Sequence, residues 1–223
     1  MDITADHVRV ALLSLIAFVV AISVHEFGHA FVADKLGDRI PRLQGRLTLS
    51  PLAHYDPIGT ILVPLLGAFL PSSFPMLAWG KPVQTSPNNY TRRLSKRTGH
   101  MLVAAAGPFM NLLMALAASV AFVAAGKMHV LSPGLAEALV RYVLALNLSL
   151  MFFNLLPLPP LDGGTVLAGI LPESFQFILQ PLERYGMILL FVLMYSGVLS
   201  VLMRPATRVT MMWAGALVRM VAS

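Results

Sequence analysis

The sequence predicts an all-α polytopic membrane protein, with about five to six transmembrane or re-entrant helices and one short membrane-associated β-hairpin. Three observations carry this. Of the 223 residues, 57% are hydrophobic and only 12% charged, where a soluble chain carries about 25% charge. Mean hydropathy is +0.76. Several uncharged apolar runs are long enough to cross a bilayer, which takes about 20 residues. No residue is Cys, so disulfides and thiolate ligands are excluded, and any metal must be held by nitrogen and oxygen. The pI near 10.1 is read as basic loops on the cytoplasmic face in contact with anionic lipid, with no nucleic-acid partner. The expectation is one integral-membrane domain over residues 1–223. Its core covers about 10–170, and residues 171–223 form a last span and an interfacial helix.

The first run begins after Arg9 and continues through Ala33, before Asp34, Lys35 and Gly37 end it. About 24 helical residues span roughly 36 Å. Its leader carries Asp2, Asp6 and a single Arg9, so the run is read as a retained helix and not a cleaved signal. Residues 40–57 change character. Gly45 can turn the chain, and Arg46-Leu47-Thr48-Leu49-Ser50 alternates as a short strand or hairpin does. An open edge at Leu47, Thr48 and Leu49 could bind an extended peptide by strand addition; a plain connecting hairpin is the alternative. His54 and Asp56 form either a second polar site or, as favoured here, a capped turn before Pro57.

Residues 58–79 are apolar but broken by Pro64, Gly67, Pro71 and Pro75. Charge decides between crossing and re-entry. The loop before holds four Lys and Arg and the loop after holds five, nine of the chain's 16. The positive-inside rule puts both loops in the cytoplasm, so the segment is expected to enter and return. Met101 to Gly126 is the clearest span, with a small-residue face at Ala104-Ala105-Ala106-Gly107 for close helix contact. Asn111 follows Pro108, and a buried Asn in lipid needs a partner. Tyr142 to Leu161 is again uncharged and ends in Asn154-Leu155-Leu156-Pro157-Leu158-Pro159-Pro160-Leu161-Asp162-Gly163-Gly164. Three prolines within four residues cannot continue a helix. Tyr185 to Met203 gives the last span. Arg204, Arg208 and Arg219 then share a face of a helix that could lie in the interface.

The chemistry centres on His25-Glu26-Phe27-Gly28-His29. On a helix, His25 and His29 sit four apart on one face, where two imidazoles can hold one metal. Glu26 is placed to handle the proton of a water. A catalytic zinc takes three protein ligands. Of ten acids, only Glu26 and Asp162 lie in strongly apolar sequence, where a carboxylate is a functional candidate. Asp162 is therefore the natural third ligand. Asn154 and Asn111 are the amides that could stabilise an oxyanion; Asn154 has the better claim because it shares the broken segment with Asp162. Asn111 could equally bond between helices.

In order, His25–His29, Ala106-Gly107-Pro108-Phe109-Met110-Asn111 and Asn154–Gly163 resemble the three signatures of the site-2 protease family of intramembrane zinc metalloproteases. His54-Tyr55-Asp56-Pro57-Ile58-Gly59-Thr60 and Trp79-Gly80-Lys81-Pro82-Val83 resemble its compact bacterial branch, which lacks a PDZ domain. The resemblance implies one Zn2+ per chain on His25, His29 and Asp162, with Glu26 as the base and Asn154 assisting the oxyanion. It implies transmembrane-helix proteins as substrates. Localisation in the cell (inner or plasma) membrane is expected, multi-pass, with the active site towards the cytoplasmic side. The competing class is a zinc-binding membrane protein without hydrolysis, such as a transporter. A transporter is expected to spread its polar groups along a path, often in repeated halves, whereas here they cluster in one set.

Overall fold

The computed structural model describes residues 5–69, 78–91, 93–128 and 133–222. The chain forms two compact units, Met1–Gly107 and Pro108–Ser223, and the division falls inside one long helix.

In the first unit, α1 runs over Ala5–Lys35. It stops where the sequence says it should. Gly37 takes a left-handed φ of 107°. Its N–H reaches the Asp34 carbonyl at 3.1 Å, and the Asp38 N–H reaches the Ala33 carbonyl at 3.0 Å. This is the paired closure of a glycine-terminated helix. Two one-turn helices follow, α2 (Ile40–Leu43) and α3 (Pro51–His54). A π-helical turn at Pro57–Leu62 leads into α4 (Val63–Phe69). Asp56 caps that turn, accepting from the N–H groups of Ile58 at 3.0 Å and Gly59 at 2.7 Å. The expected capped turn is present.

Among the described residues there is no strand. Gly45 does turn the chain, with φ 68°, but Leu47, Thr48 and Leu49 lie in irregular backbone. A side chain occupies one acceptor that a strand partner would use: His54 Nε2 is 2.8 Å from the Thr48 carbonyl. Arg46 reaches out of the stretch and donates to the Ala53 carbonyl of α3. Nearby, Arg42 grips Asp34 through two bonds of 2.8 Å, which holds the guanidinium pKa above its ordinary value.

The segment beginning at Ile58 comes back to its start. The Trp79 N–H donates to the Gly59 carbonyl at 3.2 Å, and Thr60 Oγ1 donates to the Trp79 carbonyl at 2.8 Å. Gly59 has no Cβ because the Trp79 indole lies where one would stand. A single crossing would separate these ends by about 30 Å. Residues 70–77, including Pro71 to Pro75, lie outside the described residues.

Helix α5 covers Lys96–Lys127 with Pro108 in its interior. In the first unit its Val103 packs with Ala33 and Tyr90, and burial pushes the Tyr90 phenol pKa up. The second unit adds α6 (Pro133–Asn154), α7 (Asp162–Ile170), α8 (Gln176–Tyr195), α9 (Val198–Leu202) and α10 (Arg204–Ala222). Its core is Ala115, Phe122, Leu144, Leu148, Ala214 and Leu217. Helix α10 is therefore packed through Ala214 and Leu217 onto α5 and α6, while Arg204, Arg208 and Arg219 stay exposed.

The span expected over Tyr185–Met203 is not continuous. Helix α8 ends at Tyr195, and Gly197 turns with φ 77°. Ser196-Gly197 supplies the left-handed exit that stops a helix. Among the described residues, two helices, Ala11–Lys35 and Lys96–Lys127, are long and apolar enough to cross a membrane.

Candidate metal centre and active site

His25, Glu26 and His29 stand together in the last third of α1. His25 and Glu26 are buried and His29 half-buried. The i, i+4 spacing brings the two Nε2 atoms to 3.1 Å. Two tetrahedral zinc ligands at about 2.0–2.1 Å from the ion lie about 3.4 Å apart, so the pair fits a shared ion.

A second contact fixes which nitrogen is available. His29 Nδ1 lies 2.7 Å from the Val103 carbonyl of α5. A carbonyl only accepts, so Nδ1 carries the hydrogen and Nε2 keeps its lone pair. That is the tautomer a metal requires, held by the outer contact that ligating histidines commonly have.

Gly107 explains how α5 comes close enough. A Cβ there would lie against His29 Nε2 and 2.7 Å from His25 Cε1. The small-residue face predicted at residues 104–107 thus serves the imidazole pair.

Glu26 is held from another side. Its Oε2 accepts from the Val83 N–H at 3.0 Å. Val83 lies in residues 78–86, a segment without regular secondary structure. Three alternate residues of it donate to other parts of the unit. Trp79 donates to Gly59, Lys81 donates to the His54 carbonyl at 2.9 Å, and Val83 donates to Glu26. Pro82, which has no N–H, falls at an intervening position. The far end of the segment is tied by Asp38, fully buried. Its carboxylate accepts from the Ser86 N–H at 2.7 Å, Asn89 Nδ2 at 2.8 Å and the Ile40 N–H at 3.1 Å.

The remaining candidates belong to the second unit. Asp162 is the first residue of α7, directly after the proline-broken turn, and is half-buried. Asn154 is the last residue of α6, and its Nδ2 donates to the Leu150 carbonyl at 3.0 Å. Asn111 and Asn147 are buried. Asn111 Nδ2 donates to Asn147 Oδ1 at 3.0 Å, joining α5 to α6. This is the between-helix bond left open by the sequence.

Sequence reasoning did not find the Val103 carbonyl, the Val83 N–H or Asp38. The Trp79–Val83 pattern was a signal for one of them. For Val103 there was none, because every residue offers the same carbonyl.

An apolar helical chain with paired helix-borne histidines and an adjacent buried glutamate carries the residue set of a metal-dependent hydrolase. The comparisons define it further. Residues 13–133 and 123–197 match Peptidase family M50. The chain is 35% identical over 201 residues to "Putative zinc metalloprotease YwhC" of Bacillus subtilis, covering 86% of this chain and 84% of that protein. It is 29% identical over 198 residues to "Putative zinc metalloprotease Rip2" of Mycobacterium tuberculosis, covering 86% of this chain and 70% of that one. The Rip2 protein of Mycolicibacterium smegmatis is also 29% identical, over 207 residues. No solved structure matches. The chain belongs to peptidase family M50, the site-2 protease family, and is a membrane zinc metalloprotease.

Proposed function

We propose that this protease hydrolyses peptide bonds within or beside transmembrane segments of membrane-protein substrates. Its single zinc is held by His25, His29 and Asp162, on the cytoplasmic side of the cell membrane. The observation that carries the reading is the histidine pair itself, with Nε2 atoms 3.1 Å apart and the His29 tautomer fixed by Val103. A zinc ion at these ligands supplies Lewis acidity for the scissile carbonyl and a water acidic enough to lose its proton near neutral pH. Glu26 takes that proton and delivers it to the leaving amine. The Val83 amide occupies one carboxylate oxygen of Glu26, which orients the other for proton transfer. Asn154 assists the oxyanion: its Nδ2 has two hydrogens, and the Leu150 carbonyl takes one. Asn111 acts mainly as the α5–α6 tie. The nine basic residues flanking the returning segment and the place of His25 near the Lys35 end of α1 support the cytoplasmic orientation.

The test is Glu26→Gln in the purified chain. It should retain one zinc and lose cleavage of a transmembrane-helix substrate. Cleavage at the wild-type rate would remove Glu26 as the base. Asp162→Asn should lower bound zinc, and an unchanged zinc content would take Asp162 out of the ligand set.

A further inference from the structure

The region past residue 170 carries none of the motifs, yet one of its residues presses on the segment that ends in Asp162. Gly186 of α8 is buried, on the same helix face as Leu179 and Leu190. A Cβ at Gly186 would fall on the Pro159 carbonyl, with Pro159 C at 2.7 Å. From its other side, Pro159 meets Gly164. A Cβ at Gly164 would stand 2.5 Å from Pro159 N and 2.7 Å from its Cδ. Pro159 is thus gripped through its ring and nitrogen by α7 and through its carbonyl by α8. Both contacts need glycine, and the atoms met are backbone or ring atoms that cannot swing aside. Gly164 lies two residues after Asp162, in the same first turn of α7.

We propose that Gly186 is a positioning residue for Asp162: by admitting the Pro159 carbonyl against α8, it sets where α7 begins and so where the carboxylate stands. The inference rests on Asp162 being a zinc ligand. It gives the C-terminal region a task in the metal site. A side chain at 186 must push Pro159 outward, and α7 moves with it through Gly164.

The experiment uses the full chain purified in detergent. Zinc affinity is measured by chelator competition, and the Co2+ electronic spectrum reports ligand geometry. The thermal midpoint of the metal-free protein is followed in parallel. Gly186→Ala should weaken zinc binding about tenfold and Gly186→Leu about a hundredfold, the range for residues that orient a ligand. The cobalt spectrum should change with each. Gly215→Ala in α10 is the control, since a Cβ there meets only Arg219 Nη1 at an ordinary 3.7 Å; it should leave both readouts at wild-type values. A purely structural role for Gly186 would lower the thermal midpoint and leave the affinity and spectrum of the folded fraction unchanged, and that result overturns the proposal. A measurement on the wild type stands independently of whether the variants fold. Added zinc should slow amide exchange in residues 182–190 as well as 155–166, because coupling is reciprocal. Protection confined to 155–166 overturns the proposal. Asp162→Ala separates the two levels. If it loses zinc while the Gly186 variants keep it, the Gly186 inference alone fails. If it binds zinc like the wild type, the ligand assignment fails and takes the inference with it.

Discussion

The histidine pair and the Asp162 segment reach their geometry by opposite means. His25 and His29 are placed by regular helix, where spacing alone puts two rings on one face. Asp162 is placed by backbone that no regular element describes. Residues 155–161 turn through Pro157, Pro159 and Pro160, and Gly163 and Gly164 let the chain pass close to itself. The glycines of the two regions show the contrast. Gly107 faces imidazole rings, which can rotate. Gly163 faces the carbonyls of Leu155 and Leu156, which cannot. A helix-borne site should therefore lose function before stability, and a loop-borne carboxylate should lose both together.

Substitutions that break this contrast can be ranked. The largest effect is expected for Gly107→Leu, whose side chain would take the imidazole volume. Bound zinc should fall to near zero by metal analysis, with helical circular dichroism retained. Gly163→Ala should come next, with the damage in stability. The Cβ meets fixed backbone, an overpacking expected to cost about 2–3 kcal/mol, and the metal-free chain should unfold at clearly lower temperature. If Gly163→Ala melts like the wild type, the segment is more pliable than its contacts imply and the contrast fails.

Asp38→Ala probes the segment over residues 78–86 that holds Glu26. The Asp38 carboxylate is fully buried and accepts three bonds, two of them from half-buried residues, so a loss of about 1–3 kcal/mol is expected. Turnover should fall while zinc content stays at the wild-type level. Asn at 38 should restore part of the turnover, since it keeps one acceptor oxygen. A parallel loss of zinc would show that the segment supports the histidines rather than Glu26. The smallest effect is expected for Gly45→Ala. No atom lies within 4 Å of a Cβ there, so only the left-handed φ of 68° is penalised, about 1–2 kcal/mol. Cleavage should be unchanged in a direct assay.

Much of the local structure was legible because it is local. The end of α1 at Gly37, the capped turn at Asp56, the break after Asn154 and the face at residues 104–107 all follow from dihedral preference, capping chemistry or residue size. Two expectations that the described residues do not show also have local causes. The alternation in residues 46–50 looks like a strand, but His54 meets the Thr48 carbonyl and Arg46 turns to the carbonyls of Ala53 and Lys81. The apolar run through Tyr185–Met203 looks continuous, but Ser196-Gly197 offers a helix stop whose effect outweighed hydropathy.

What the sequence determined by itself is the chemistry: two imidazoles at helical spacing, a glutamate beside them, and a lone apolar-embedded aspartate after a proline break. Residue type and spacing suffice for that. Tertiary structure alone decided the supports. It gave the Val103 carbonyl to His29, the Val83 amide to Glu26 and the return of Trp79 to Gly59. These are backbone contacts between residues distant in sequence. Every residue except proline carries the same N–H and C=O, so no residue type marks which of them will be used, and only the folded path of the chain selects them.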